Sequence, residues 1–180
     1  MSGKRDQARG GGGYRRSAGT ARGLQRRQEL LDKVVEDLAA NGLVDFSLRR
    51  AARAAGTTHK VVLYHFADVD ELLVEAVLEL RERRIASALA ASIADIERGG
   101  SLASRVEEIW QVLIDDRTGL RVLDQAIGLT LYDPARYQSL GRQASAQYLP
   151  ALVRLCPGEW SDQRKFDVSH FIMATLRGFL

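Results

Sequence analysis

The sequence predicts an all-α protein, and three features carry that prediction. Apolar residues recur at i, i+3, i+4 and i+7 through most of the chain, the spacing that gathers them on one face of a helix. Ala and Leu dominate an apolar content of 46%, while aromatic residues reach only 7%, a balance that favours helix over sheet. Helix punctuation separates the periodic stretches. Ser47, Thr58, Asp68, Asp133 and Ser161 stand where N-caps are wanted, and Gly42, Gly56, Gly99 and Gly158 where helices should stop. No strand alternation and no internal repeat interrupts this pattern.

The 180 residues suffice for one ordinary domain or two small ones, and the apolar content argues against a disordered chain. A single cysteine, Cys156, excludes an internal disulfide and fits a reducing cytoplasm. The N-terminus is basic and then Gly-rich rather than apolar, unlike a secretory leader. No apolar run approaches the roughly 20 residues of a membrane span. The charge is unevenly placed. Lys4, Arg5, Arg9, Arg15, Arg16, Arg22, Arg26 and Arg27 stand against Asp6, a net of +7 within residues 1–27, which leaves −4 for the rest of a chain whose total is +3. A basic segment ahead of a mildly acidic body suits a polyanionic partner.

Residues 1–22 include Gly10-Gly11-Gly12-Gly13 and almost no apolar side chains, so they should form a disordered basic arm. The glycines are not a phosphate-binding loop, since no strand precedes them and no Gly-Lys-Ser/Thr follows. A first helix is expected over about Leu24–Ala40, with Leu31, Val34, Val35, Leu38 and Ala39 as its buried stripe and Asn41-Gly42 as its end. The stretch from Asp45 to Leu73 then reads as two short helices and the start of a third. Ser47 caps the first, and Ala51, Ala52, Ala54 and Ala55 keep it slim enough for another helix to cross closely. Gly56 stops it in the left-handed conformation, and Thr57 or Thr58 caps the next. Val62 and Phe66, four apart, share the inner face of that second helix, which leaves Thr58, His59, Lys60, Tyr64 and His65 on the other side. This is the layout of a helix-turn-helix, whose second helix enters the DNA major groove.

Asp68 to Glu71 resembles a capping box with Asp in the place of Ser or Thr. The helix it opens should run to about Arg98, roughly 45 Å, and end at Gly99-Gly100. Ser101–Asp115 is the next helix, with Leu102, Val106, Ile109 and Trp110 inward. Thr118-Gly119 lies in a turn before Leu120–Tyr132, where Leu123, Ala126, Ile127 and Leu131 repeat at helical spacing. Asp133-Pro134 opens a helix through Tyr137, Leu140, Tyr148 and Leu152 that Pro150 should kink or split, and Cys156-Pro157-Gly158 stops it. Ser161-Asp162 caps a last helix with Phe166, Ser169, Met173 and Leu176 on one side.

A motif of Ser47-Leu48-Arg49, then Ala55-Gly56-Thr57-Thr58, then Leu63-Tyr64-His65-Phe66, followed by Asp68 and Glu71-Leu72-Leu73, resembles the TetR family of bacterial transcriptional repressors. The motif covers about 30 residues, and the helical remainder is of the size the family has. Two positions depart from the usual pattern: Leu63 stands where the family commonly has Tyr, and Val69 where it commonly has Lys. The resemblance implies a two-domain, homodimeric regulator: an arm over 1–22, a three-helix DNA-binding domain over 23–67, and a helical ligand-binding and dimerisation domain over 68–180. It implies a palindromic double-stranded DNA operator, a small-molecule effector that releases the repressor, no cofactor, and a cytoplasmic protein associated with the nucleoid when DNA-bound. Pro134–Cys156 and Ser161–Leu180 would pair with their copies as a four-helix bundle. Arg49, Tyr64, His65 and the arm would hold phosphates, with Thr58, His59 and Lys60 nearest the bases and Ser47 also at the DNA.

Other chemistry weighs less. His59 and His65, six apart, fall on different sides of a helix, which is poor geometry for a shared metal. Asp167 and His170, with Ser169 or Cys156, superficially suggest a nucleophile and base, but no nucleophile elbow accompanies them. An enzyme built there is the competing reading, with a helical scaffold making only protein contacts behind it. Trp110, Tyr132, Tyr137, Tyr148 and Phe171 are the aromatic candidates to line a ligand pocket.

Overall fold

A computed structural model describes residues 19–97, 99–115 and 117–179. These residues form eight helices: α1 (Ala21–Asn41), α2 (Leu48–Ala54), α3 (His59–His65), α4 (Val69–Glu97), α5 (Leu102–Asp115), α6 (Arg117–Tyr132), α7 (Pro134–Leu155) and α8 (Asp162–Phe179). No strand occurs among them. Most of the expected arm, residues 1–18, lies outside the described residues, as does Leu180.

The caps decide the element boundaries. Thr20 accepts from the Gly23 amide, so α1 begins at Ala21, three residues ahead of the expected start and inside the expected arm. At its other end Gly42 has φ +73° and ψ −174°, a backbone region open only to glycine, and its amide bonds Leu38 O. Ser47, Thr58, Asp133 and Ser161 each accept from the amide three residues on. Asp68 Oδ1 accepts from the amides of Asp70 and Glu71, and Glu71 Oε2 reaches back to accept from the Ala67 amide, one residue earlier than a regular capping box would.

The structure departs from expectation at two helix breakers. Thr118 and Gly119 do not form a turn between helices but lie in the first turn of α6 (Arg117–Tyr132). Pro150 does not split its helix, and α7 runs through it to Leu155. Pro150 is exposed, and so is Ala146, whose carbonyl the missing N–H leaves free, so water can satisfy that group.

Among the described residues the interior holds two apolar clusters. One joins α1, α2, α3 and the first half of α4 through Leu30, Val34, Leu38, Ala51, Val62, Phe66, Leu72 and Val77. It also takes Val122 and Ala126 from α6 and Tyr137 and Leu140 from α7, so the first three helices are completed by more than the helix that follows them. The other gathers Ala88, Ile109, Leu152, Leu155 and Ile172 from α4, α5, α7 and α8. At 1.5 Å per residue α4 is about 44 Å long, enough to reach both. In α8 the inner side is Val168, Ser169, Ile172, Met173 and Leu176, while Phe166, expected inward, is exposed.

Candidate nucleic-acid interface and ligand cavity

The α2–α3 unit is a helix-turn-helix held by short-range chemistry. Gly56 has φ +61°, which a Cβ would strain, and Thr57 N bonds back to Ala52 O, closing the turn. Ala51 and Ala52 are buried where α3 crosses α2. Val62 and Phe66 are buried too, although α3 ends at His65 and Phe66 is already extended.

The unit is tied to its neighbours by two arginines. Arg27 of α1 donates to His65 O at 3.1 Å and to Glu75 at 2.6 Å, and its guanidinium lies 4.3 Å from the Phe66 ring centre. Glu75, foremost, and Glu71 raise its pKa above the ordinary guanidinium value. Arg50 of α2 donates to Asp37 at 2.7 Å and to the carbonyls of Gly42 and Val44, both at 2.7 Å. Arg27, counted above among the cations of the N-terminal segment, is thus committed to the fold.

The outer surface of α3 carries Thr58, His59 and Lys60, all exposed, with Tyr64 half-buried beyond them. Ser47, Arg49 and Arg53 are exposed on α2. Neither Arg49, Arg53 nor Lys60 forms an ion pair among the described residues. His65 is placed differently from the sequence expectation. It is half-buried and meets the Tyr64 ring edge-on at 4.8 Å, and its Nδ1 is enclosed without a hydrogen-bond partner among the described residues. Burial, and then the charges of Arg26 and Arg27, lower its pKa below the ordinary imidazole value, so its ring is neutral at neutral pH. Leu63, which sequence reasoning passed over, is exposed on the outer surface instead. Counting 100° per residue from His59 would have placed it there.

Between α4, α5, α6, α7 and α8 lies a cavity of about 370 Å³. Its walls are mainly aliphatic, with Ile85, Leu89, Ile109, Leu123, Leu152 and Met173 prominent, and with Arg81, Thr130 and Tyr148 among the polar side chains. Ile127 and Leu131, expected inward, line it yet are exposed, which places them at its mouth. Of the five aromatic candidates only Tyr148 reaches this cavity. Tyr137 belongs to the first apolar cluster, Trp110 is half-buried off the cavity wall, and Tyr132 and Phe171 are 90% and 71% exposed. Periodicity could not separate these, since it reports a face and not what that face meets.

The cavity wall touches the helix-turn-helix side through α6. Gln125, between the lining residues Asp124 and Ala126, accepts from the Leu43 amide at 2.7 Å. A Cβ on Gly42 would come within 2.9 Å of the same Gln125 oxygen. At the start of α7, Arg136 makes two bonds of 2.6 Å to Asp70 in the first turn of α4.

Asp167 and His170 each make their contacts within α8, and not with one another in any hydrogen bond among the described residues. Asp167 accepts from Gln163 at 2.8 Å, and His170 Nδ1 lies 2.9 Å from Phe166 O. Cys156 is buried, with its sulfur 3.8 Å from Ser169 Oγ. Among the described residues no three His, Cys, Asp or Glu gather to hold a metal ion, and no helix is long and apolar enough to cross a membrane.

No family model matches the sequence, and no curated protein does. Solved structures do match. The multidrug binding protein EbrR in complex with imidazole is 20% identical with a TM-score of 0.62, over 84% of this chain and 82% of that one. EbrR in complex with proflavin is 22% identical with a TM-score of 0.58, over 85% of each chain. SCO7518 from Streptomyces coelicolor A3(2), a candidate transcriptional regulator, is 20% identical with a TM-score of 0.58, over 84% of this chain and 85% of that one. The chain shares the all-α fold of these structures, and its helix-turn-helix precedes the longer helices.

Proposed function

We propose that the protein is a DNA-binding transcriptional regulator, a homodimeric repressor released by a small-molecule effector. The observation that carries this reading is the helix-turn-helix itself. Its second helix, capped by Thr58, exposes Thr58, His59 and Lys60, α2 exposes Arg49 and Arg53, and Arg49, Arg53 and Lys60 form no ion pair among the described residues. Arg49, Ser47 and Tyr64 then hold phosphates, with His65 at the edge of that set, and Thr58, His59 and Lys60 face base edges. Lys60 suits guanine O6 or N7. The arm supplies further phosphate contacts. These roles are as expected of an all-α, TetR-like chain whose near structural neighbours include transcriptional regulators.

The aliphatic cavity is the effector site in this reading, and EbrR holding proflavin supports it. An effector that fills the cavity presses on α6, and Gln125 passes the displacement to Leu43, at the turn between α1 and α2. The division into a DNA-binding unit over 23–67 and an effector and dimer unit over 68–180 follows from this reading, although the apolar clusters cross that line. Exposed Phe166 and Phe171 on α8 suit a dimer built from α7 and α8 of two copies. Such a protein works on DNA in the cytoplasm and catalyses nothing. A gel shift with random duplex at low and high salt tests the reading. A regulator binds duplex with steep salt dependence, whereas an enzyme or a protein scaffold shows none.

A further inference from the structure

The outer surface of α3 is polar except at one place. Leu63 is 46% exposed and belongs to neither apolar cluster, while its sequence neighbour Val62 is fully buried. At 3.6 residues per turn Leu63 falls about 40° from His59 and about 60° from Lys60 around the helix, between the two. The apolar side chain therefore sits inside the face proposed to read bases, with Arg49 and Arg53 exposed alongside on α2. Those cations suit a polyanion, and duplex DNA is the polyanion to which a helix-turn-helix presents its second helix. In a major groove the one apolar feature of a base edge is the C5-methyl of thymine.

We infer that Leu63 is a specificity residue that packs on a thymine methyl, one per half-site. This rests on the DNA-binding reading above and adds to it a side chain with no hydrogen-bonding group. Lys60 and His59 read by donors and acceptors, whereas Leu63 reads by shape and apolar contact. Its selectivity comes from burying a methyl that cytosine and uracil lack.

The test uses the full chain and duplexes selected by it from a random pool. Each thymine in the selected sequence is replaced in turn by deoxyuridine, which removes the methyl and nothing else. One symmetric pair of positions should then weaken binding by about fourfold per methyl, the value of one buried methyl-sized group. Leu63→Ala should lose a similar factor on the thymine duplex and bind thymine and uracil duplexes equally. Because Leu63 is exposed, the variant should keep its thermal unfolding midpoint, which is measured alongside. Duplex binding with no methyl-sensitive thymine overturns this inference alone. So does a Leu63→Ala variant that still shows the full uracil penalty. Failure of the unaltered chain to bind any duplex overturns the DNA-binding reading, and this inference with it.

Discussion

Arg49 and Arg50 are neighbours with opposite fates. Arg50 commits its guanidinium to Asp37 and to the carbonyls of Gly42 and Val44, fastening α2 to the end of α1. Arg49 is exposed in the first turn of α2. Arg50→Ala removes the charged partner of Asp37, which keeps the Asn41 side-chain amide, and the Arg50 donors of the Gly42 and Val44 carbonyls, and should cost about 3 kcal/mol of stability. Arg49→Ala should leave the unfolding midpoint unchanged and weaken all duplexes by a similar factor, the signature of a phosphate contact. Urea unfolding and duplex titration of the two variants separate the roles, and a stable Arg50→Ala protein would contradict the account of α2 docking.

His65 gives a pH signature at the same scale. Its pKa is lowered in the folded protein by burial and by Arg26 and Arg27, so below the ordinary imidazole value of about 6.5 the unfolded chain takes a proton that the folded one resists. Its contribution to stability is present above that value and is lost as the pH falls through the lowered folded value. The fall in stability between pH 7 and pH 5 should therefore be shallower in His65→Gln than in the unaltered protein. Identical pH profiles for the two would remove the enclosed ring from the argument. Sequence reading could place His65 within α3 but not on its inner side, because the helix is short and Phe66 leaves it at once.

At the scale of elements, local chemistry was the legible part. Ser47, Gly56, Thr58, Asp68 and Asp133 act within a turn of themselves, and the structure uses each as a cap or stop. Thr20 was overlooked because Gly19 and Ala21 beside it carry no apolar periodicity to announce a helix. Pro150 and Gly119 misled for the opposite reason: both are breakers by local rule, and solvent at one and burial at the other let the helix continue. The Gln125 link was not legible at all, since it joins positions 82 residues apart. Gln125→Ala should leave the Leu43 amide without its acceptor, costing about 1–2 kcal/mol. Hydrogen exchange at Leu43 should speed up more than at its neighbours in α1. Unchanged exchange there would mean that α6 rests on the α1–α2 turn by apolar contact alone.

At the scale of the whole molecule, α4 touches both apolar clusters and α6 forms a wall of the cavity while bonding the helix-turn-helix side. The aromatic candidates for that cavity were largely misplaced, and the reason is physical. Its walls come from five helices, and an aliphatic lining built from Leu and Ile carries no composition signal distinct from core. What a single chain cannot contain is its copy. A homodimer presents two α3 helices about a two-fold axis, and two such helices in successive major grooves demand half-sites about 34 Å apart, one turn of duplex. Selection of bound sequences from a random duplex pool, with the full chain at low salt, measures this directly. A homodimer should enrich a palindrome with half-sites about ten base pairs between centres, bound less tightly as salt rises. Enrichment of no sequence, or of an unsymmetric one indifferent to salt, would contradict it.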